Sequence, residues 1–296
     1  MLAESLRTAS FHVAALLRWA EGVLRQNDTE NPRCDAEWLL ANVLGCGRMK
    51  LYLPGGRKIT QAEHDTFKKL ILRRSKREPL QYILGTTTFC DLELLVDKRA
   101  LIPRPETEEL VEAIKNYYAL AAAPPRSILD LGTGSGAIIL SLGKIFPRAS
   151  LTASDLDAAA LSLARNNEKH CRMEGRTIFC QSDWFQALNG MWNLIVSNPP
   201  YLSDKELESA QPEVRLHEPH KALIAPNDGL GHLEIIIREA PAFLSDGGLL
   251  ALETGATQHD YLVRVANQIG LVVLTRMRDF SGRPRMLFFQ KLGLKA

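Results

Sequence analysis

The sequence predicts an α/β fold: a doubly wound, mostly parallel seven-stranded sheet preceded by a small all-α helical bundle and a β-hairpin linker. Three observations predict it. Residues 1–84 carry apolar side chains only at helical spacing; from residue 127 onward, short β-branched runs alternate with helical stretches; and the first such run ends in closely spaced glycines that open a helix.

In the N-terminal part, Leu6, Val13, Leu16, Leu17, Ala20, Val23 and Leu24 recur at helical spacing. Asp35 opens a second periodic stretch through Trp38, Leu39, Leu40 and Val43, which Gly45 closes. Thr60-Gln61-Ala62-Glu63 has the form of a capping box ahead of a basic helix that must stop by Pro79. In residues 85–103 the pattern changes to Thr, Phe and the alternation Leu92-Glu93-Leu94-Leu95-Val96, which predicts a hairpin joining two domains. The expected organisation is therefore a helical domain over 1–84, a hairpin over 85–103 and an α/β domain over 104–296. Pro105, followed by Glu106, Glu108 and Glu109, reads as a helix start, since proline at the first helical position lacks only an N–H that would go unused. That helix is expected to reach about Tyr118, with a linker over 121–125. The predicted strands are 127–131, 150–154, 177–181, 192–196, 249–253, 271–276 and 285–290, with helices from Gly136, Asp157, about Leu230 and Gln258 between them.

A chain of 296 residues suits two domains of unequal size, and 46% hydrophobic with 24% charged residues is ordinary for a globular protein. The net charge of +2 says little about partners, but its distribution says more. Arg57, Lys58, Lys68, Lys69, Arg73, Arg74, Lys76 and Arg77 face only Glu63 and Asp65 within the same run, which reads either as a solvated helix face or as a docking surface for an acidic or nucleic-acid-bound partner. Cys34, Cys46, Cys90, Cys171 and Cys180 are scattered without a C-x-x-C pair, which suggests buried thiols in a reducing compartment. His217 and His220 flank Glu218, but Pro219 interrupts them and no further ligand cluster follows, so no metal is expected. No apolar stretch is long enough to span a membrane, and Glu4, Arg7, Arg18 and Glu21 argue against a signal peptide, so a cytoplasmic protein is expected.

The chemistry concentrates at three strand ends. After 192–196 comes Ser197-Asn198-Pro199-Pro200-Tyr201. Two prolines fix φ and remove two donors, so the carbonyls of Asn198 and Pro199 become spare acceptors in a rigid turn. With the Asn198 side-chain oxygen, the turn can take both hydrogens of a planar –NH2 group while Tyr201 offers a flat face. The first strand runs into Gly132-Thr133-Gly134-Ser135-Gly136, where the backbone can approach a ligand and a helix N-terminus offers free N–H groups to an anionic group. The next strand leads to Asp155, placed to hold the two hydroxyls of a ribose. Gly132, Gly134 and Ala137 also fit the dinucleotide pattern G-x-G-x-x-A, so a NAD-binding module is a rival reading. Against it stand Asp130 inside the strand and Asp183-Trp184 at the third strand end, which suit an adenine: Asp183 accepts from the exocyclic amine and Trp184 contacts the ring. A carboxylate-bearing arm, a ribose and an adenine together describe S-adenosylmethionine.

Glycine turn, ribose acid, Asp183-Trp184 and Asn198-Pro199-Pro200-Tyr201, in that order, resemble the class I S-adenosylmethionine-dependent methyltransferases that act on planar amino or amide nitrogens. The tetrapeptide is shared by adenine- and glutamine-methylating enzymes, so a nucleic-acid adenine or guanine amino-methyltransferase is the alternative. The helical N-terminal part, Arg77-Glu78-Pro79-Leu80-Gln81-Tyr82-Ile83-Leu84-Gly85, Ile102-Pro103-Arg104-Pro105-Glu106-Thr107-Glu108, Gln181-Ser182-Asp183-Trp184-Phe185 and Glu218-Pro219 resemble the peptide chain release factor N(5)-glutamine methyltransferases over nearly the whole chain. Thr86–Asp91 lacks the second aromatic often seen in the hairpin, and His217 stands where an aromatic often precedes Glu-Pro, departures that touch packing around the substrate loop. The resemblance implies methylation of the glutamine in the Gly-Gly-Gln (GGQ) loop of class 1 release factors, with S-adenosylhomocysteine as product, by a monomer that contacts neither nucleic acid nor membrane. It implies Asn198, Pro199 and Tyr201 as the catalytic set and Gly132 to Gly136, Asp155, Asp183, Trp184 and Asn198 around the cofactor. Pro200 and Arg104 join the substrate contacts, with Arg104 to Glu108 forming a lid or capping a helix.

Overall fold

The computed structural model describes residues 12–53 and 58–292, so Glu4, Leu6, Arg7 and Arg57 lie outside the described residues. The chain forms two units, one made of the residues up to Gly85 with Pro212–His217, the other of Thr86–Gln211 with Glu218 onward.

The first unit contains α1 (Val13–Gln26), α2 (Pro32–Val43), α3 (Gln61–Arg74) and α4 (Leu80–Leu84). Helix α2 begins three residues before the expected Asp35, because Pro32 takes the first helical position. Leu17, Leu24, Leu39, Leu40, Phe67 and Ile71 are fully buried and form the core of this unit. The capping box is present: Thr60 accepts from the Glu63 N–H while the Glu63 carboxylate takes the Thr60 N–H at 2.9 Å. The basic run is not one solvated face. Arg74 is buried and pairs with Asp35 at 2.7 Å and Glu213 at 2.8 Å, Arg77 pairs with Glu213 at 2.6 Å, and Arg73 pairs with Glu78 at 2.6 Å. Lys68, Lys69 and Lys76 are exposed.

The second unit opens with the antiparallel hairpin β1 (Thr86–Phe89) and β2 (Leu92–Leu95), followed by α5 (Pro105–Leu120), which starts at Pro105 as the sequence predicts. Phe89 and Leu94 are fully buried in the same core as Leu110, Ile114 and Ile128, so the hairpin expected as a linker packs into the α/β unit. The sheet comprises β3 (Ser127–Leu131), β4 (Ser150–Asp155), β5 (Thr177–Gln181), β6 (Trp192–Ser197), β7 (Leu244–Glu253), β8 (Leu271–Arg278) and β9 (Pro284–Lys291). Helices α6 (Ala137–Ile145), α7 (Ala158–His170), α8 (Asp204–Ser209), α9 (Pro212–His217), α10 (Gly231–Phe243) and α11 (His259–Gln268) complete the chain, α9 belonging to the first unit. The short α8 and α9 escape sequence reading because six residues each are too few to show a period.

Strand order is β5-β4-β3-β6-β7-β9-β8, parallel from β5 to β7 and antiparallel where β9 joins β7 and β8. Side chains alternate along β3, so Ile128 enters the core shared with α5 and α6 while Leu129 and Leu131 enter the one shared with α10 and α11. The chain order reverses between β3 and β6, and open α/β sheets bind ligands at the carboxyl ends of strands at such a point. Leu131 pairs with Ser197 there, which sets the glycine turn beside Asn198. All five cysteines are free and only half-buried, against the expectation of buried thiols.

Candidate active site

Three glycines after β3 take left-handed φ values, +69° at Gly132, +55° at Gly134 and +83° at Gly136, conformations that side-chain-bearing residues rarely adopt. Their uses differ. A Cβ on Gly132 would meet the Trp184 ring at 3.7 Å, whereas one on Gly136 would press on Ala164 at 3.2 Å. Gly132 therefore keeps the cavity open beside the indole, and Gly136 lets α6 pack against α7. The turn is locked from below: the Thr133 hydroxyl donates to Asp130 at 2.7 Å, and its N–H donates to the Ser154 carbonyl at 2.9 Å. Asp130 is fully buried, and burial pushes its carboxyl up to about 7.

Asp155, at the end of β4, accepts the Gly134 N–H at 2.8 Å on one oxygen and the Asp157 N–H at 2.9 Å on the other. Each carboxylate oxygen keeps a further lone pair for a hydroxyl. Burial raises the Asp155 carboxyl above the ordinary carboxylate range, while the two N–H groups pull it back. Trp184 sits at φ +47°, a strained conformation worth on the order of 1–3 kcal/mol that a surrounding structure must hold. Its ring lies 5.2 Å from that of His232, whose basicity burial lowers.

These groups bound a cavity of about 370 Å³. Its wall includes Gly132, Thr133, Gly134, Ser135, Asp155, Asp183, Trp184, Asn198, Pro200 and Arg104 from the sequence-derived set. Gly136, Pro199 and Tyr201 do not reach the wall. Arg104 is held at 2.5 Å by Glu218, a buried carboxylate that also accepts the Ile102 N–H at 3.2 Å. Lys221, in the short 3-10 turn His220–Ala222, pairs with Asp157 and also lines the cavity.

At the turn after β6, the Asn198 side-chain N–H donates to the Thr107 hydroxyl at 3.0 Å, and that hydroxyl donates to Glu253 at 2.7 Å. The other Glu253 oxygen accepts the Tyr201 hydroxyl at 3.0 Å. The Arg285 guanidinium lies 5.7 Å from the centre of the Tyr201 ring. Tyr201, read from sequence as a face for the acceptor plane, thus has its hydroxyl tied down and its ring beside a guanidinium. Glu253 is 1% exposed; burial raises its carboxyl, and the Thr107 and Tyr201 hydroxyls and Arg285 pull it back. The Pro199 carbonyl accepts no hydrogen bond from a described residue. Sequence reading gave no role to Glu253, Lys221 or His232 and took Thr107 only as part of the Arg104–Glu108 run, because each is an ordinary member of its element until the fold brings it to this region.

The Tyr201 carbonyl is anchored by the Gln258 side chain at 3.0 Å, and Gly229 packs beneath it. At Gly229 φ is +86°, and an added Cβ would lie 2.2 Å from the Tyr201 oxygen. Gly229→Ala is therefore expected to destabilise the protein by on the order of 3 kcal/mol. A lowered urea midpoint checks it; a variant as stable as the parent would show that the loop yields at no cost.

The cavity fits S-adenosylmethionine. Its size falls in the range of small-molecule sites, roughly 300–1,000 Å³, Gly132 leaves room beside an indole, and Asp155 keeps unused lone pairs at the end of β4. The fold and the site together define a class I methyltransferase. A methyltransferase from Pyrococcus furiosus has the same fold, with TM-score 0.52, 17% identity, and coverage of 69% of this chain and 90% of that one. Two family models match: the PrmC N-terminal domain over residues 15–85 and the methyltransferase small domain over 107–224. The chain is 37% identical over 277 residues to the release factor glutamine methyltransferase of Geobacter sulfurreducens, covering 93% of this chain and 95% of that protein. With the enzyme of that name from Rhodopirellula baltica it shares 34% identity, covering 98% of this chain and all of the relative, and with that from Salmonella typhimurium 38%, covering 90% and 95%. The chain belongs to the release factor glutamine methyltransferase family.

Proposed function

We propose that this protein transfers a methyl group from S-adenosylmethionine to the N5 side-chain amide nitrogen of the glutamine in the GGQ loop of class 1 release factors. The observation that carries the reading is the orientation of Asn198 at the cavity wall: its N–H is spent on Thr107, which leaves Oδ1 to accept. The names of the full-length relatives support the choice of acceptor.

An amide nitrogen is a poor nucleophile because its lone pair is delocalised into the carbonyl, so position must supply most of the acceleration. Asn198 Oδ1 and the Pro199 carbonyl take the two amide hydrogens and aim the lone pair at the electrophile. Tyr201 braces this turn through Glu253. Asp155 holds the ribose hydroxyls, and Asp183 and Trp184 hold the adenine. The cofactor, when bound, supplies a sulfonium methyl as the electrophile. The acceptor nitrogen becomes acidic only after methylation and then gives its proton to water, so no strong base is required before transfer, and the acceptor oxygens of Asn198 and Pro199 stabilise the positive charge that develops on it. Arg104, held by Glu218, closes the methionine end of the site. The helical unit recognises the release factor, and exposed Lys58, Lys68, Lys69 and Lys76 offer cations for that contact. The five free thiols suit the cytoplasm, and the enzyme is taken to act as a monomer. No described helix is long and apolar enough to cross a membrane.

The test is mass spectrometry of a purified class 1 release factor after incubation with enzyme and S-adenosylmethionine. One added methyl group on the GGQ glutamine is expected, none when that glutamine is replaced by alanine, and none on DNA or RNA. Undiminished methylation of the Gln→Ala acceptor, or methylation of nucleic acid alone, would overturn the reading.

A further inference from the structure

We propose that Glu253, acting through Thr107, fixes which way the Asn198 carboxamide faces, and therefore that Glu253 and Thr107 are positioning residues for methyl transfer. The proposal rests on the functional reading above in one respect, that Asn198 meets an acceptor –NH2 group.

A carboxamide can turn over about its last torsion with almost no change of shape, exchanging its oxygen for its –NH2. One orientation offers an acceptor to the cavity and suits an incoming amide nitrogen. The other offers donors, and donor would meet donor. Something must break the tie, and Thr107 cannot do so alone, since a hydroxyl both donates and accepts.

Glu253 removes that freedom. Its two oxygens each meet a different hydroxyl, Thr107 at 2.7 Å and Tyr201 at 3.0 Å, and in its ionised form, which both hydroxyls and Arg285 favour, the carboxylate has no proton to offer. Thr107 has a single hydroxyl hydrogen, and that hydrogen is committed to Glu253. Only lone pairs remain on the side facing Asn198, 3.0 Å away, so Asn198 must present its –NH2 there and turn Oδ1 the other way. Glu253 is shut off from water at 1% exposed, and Thr107, 4% exposed, lies between it and the cavity that Thr107 lines. The three groups come from separate elements: Thr107 from the first turn of α5, Glu253 from the end of β7, and Asn198 from the loop after β6. Pairing of Ser197 with Leu252 sets the last two side by side. The charge on a carboxylate outside the cavity wall thus determines the polarity of the group at the wall.

Three near-isosteric variants test this. Thr107→Val removes the hydroxyl, Glu253→Gln replaces an oxygen with a donor that can reverse the chain, and Thr107→Ser restores the hydroxyl. For Thr107→Val and Glu253→Gln, kcat on the release factor is expected to fall about 10- to 100-fold, while the Kd for S-adenosylmethionine stays within about three-fold, the signature of a group lost only from the transition state. Thr107→Ser is expected to recover kcat to within about three-fold of the parent. NMR of the Asn198 side-chain –NH2 reads the orientation without any acceptor: one slowly exchanging, hydrogen-bonded proton in the parent and in Thr107→Ser, lost in Thr107→Val and altered in Glu253→Gln. If the parent failed to label the release factor, the functional reading would fail while the NMR series still judged the orientation. Parental kcat and an unchanged Asn198 signal in Thr107→Val would overturn the proposal. So would a Thr107→Val variant that lost cofactor affinity and turnover together, because Thr107 would then be a structural support of the whole cavity.

Discussion

Replacing Asn198 with alanine is expected to lower kcat by about 10²–10³-fold, the scale found when one preorganised polar group is taken from a reacting centre, with cofactor affinity changed by no more than a few-fold. The two halves of the expectation have separate causes. Turnover falls because the acceptor nitrogen loses the oxygen that aligns its lone pair, and because Thr107 is left with an unfilled acceptor site beside the buried Glu253. Cofactor affinity is spared because the groups at the ribose and adenine end, Asp155, Asp183 and Trp184, stand on β4, β5 and their following loops rather than on the turn after β6. Single-turnover kinetics beside calorimetric titration of S-adenosylmethionine separate the two. A parallel collapse of both would mean that Asn198 serves the cofactor pocket and that the clamp lies elsewhere. Asn198→Asp sharpens the test, since a carboxylate keeps an acceptor oxygen but loses the N–H that Thr107 receives.

The strands and the glycine turn were legible in the sequence because their signals are local. A buried parallel strand is a short β-branched run, and 127–131 and 177–181 coincide with β3 and β5. Gly132 and Gly134 are glycines because their φ values demand it, and Asp155 follows directly at the next strand end. The turn after β6 was legible as a tetrapeptide, but the side chains that hold it were not. Thr107 and Glu253 are 146 residues apart, and nothing at either position distinguishes it from a helix-start threonine or a strand-end glutamate until β6 and β7 pair. Tyr201 was legible as a ring beside the turn, but not the anchor of its hydroxyl, because that hydrogen-bond partner lies 52 residues on. The return of Pro212–His217 to the helical unit, through Glu213 to Arg74 and Arg77, is likewise a long-range ion pair that composition showed only as a basic run.

Asp155→Ala is expected to act in the opposite sense to Asn198→Ala, raising the Kd for S-adenosylmethionine by about 10- to 100-fold or more, the cost of one or two charged hydrogen bonds to ribose hydroxyls. Part of that loss comes from the protein itself. The Gly134 and Asp157 N–H groups each give up their carboxylate partner, so the glycine turn loosens along with the ribose contact. Asp155→Asn separates the contributions, because the carboxamide still accepts at one oxygen but turns a donor toward the other N–H. Its Kd should fall between those of the parent and the alanine variant. The pH dependence has a definite sign. Ribose hydroxyls donate to the ionised form, so protonation of Asp155 weakens binding, and because burial holds this carboxyl above the ordinary aspartate value, affinity should begin to fall at a higher pH than an exposed aspartate would require. Thermal shift with saturating cofactor measures the same linkage, as a ligand that binds only the native state must raise its stability. NAD offered instead is expected to give no shift. Stabilisation by NAD alone, undiminished in Asp155→Ala, would assign the glycine turn to a dinucleotide and remove the cofactor half of the argument.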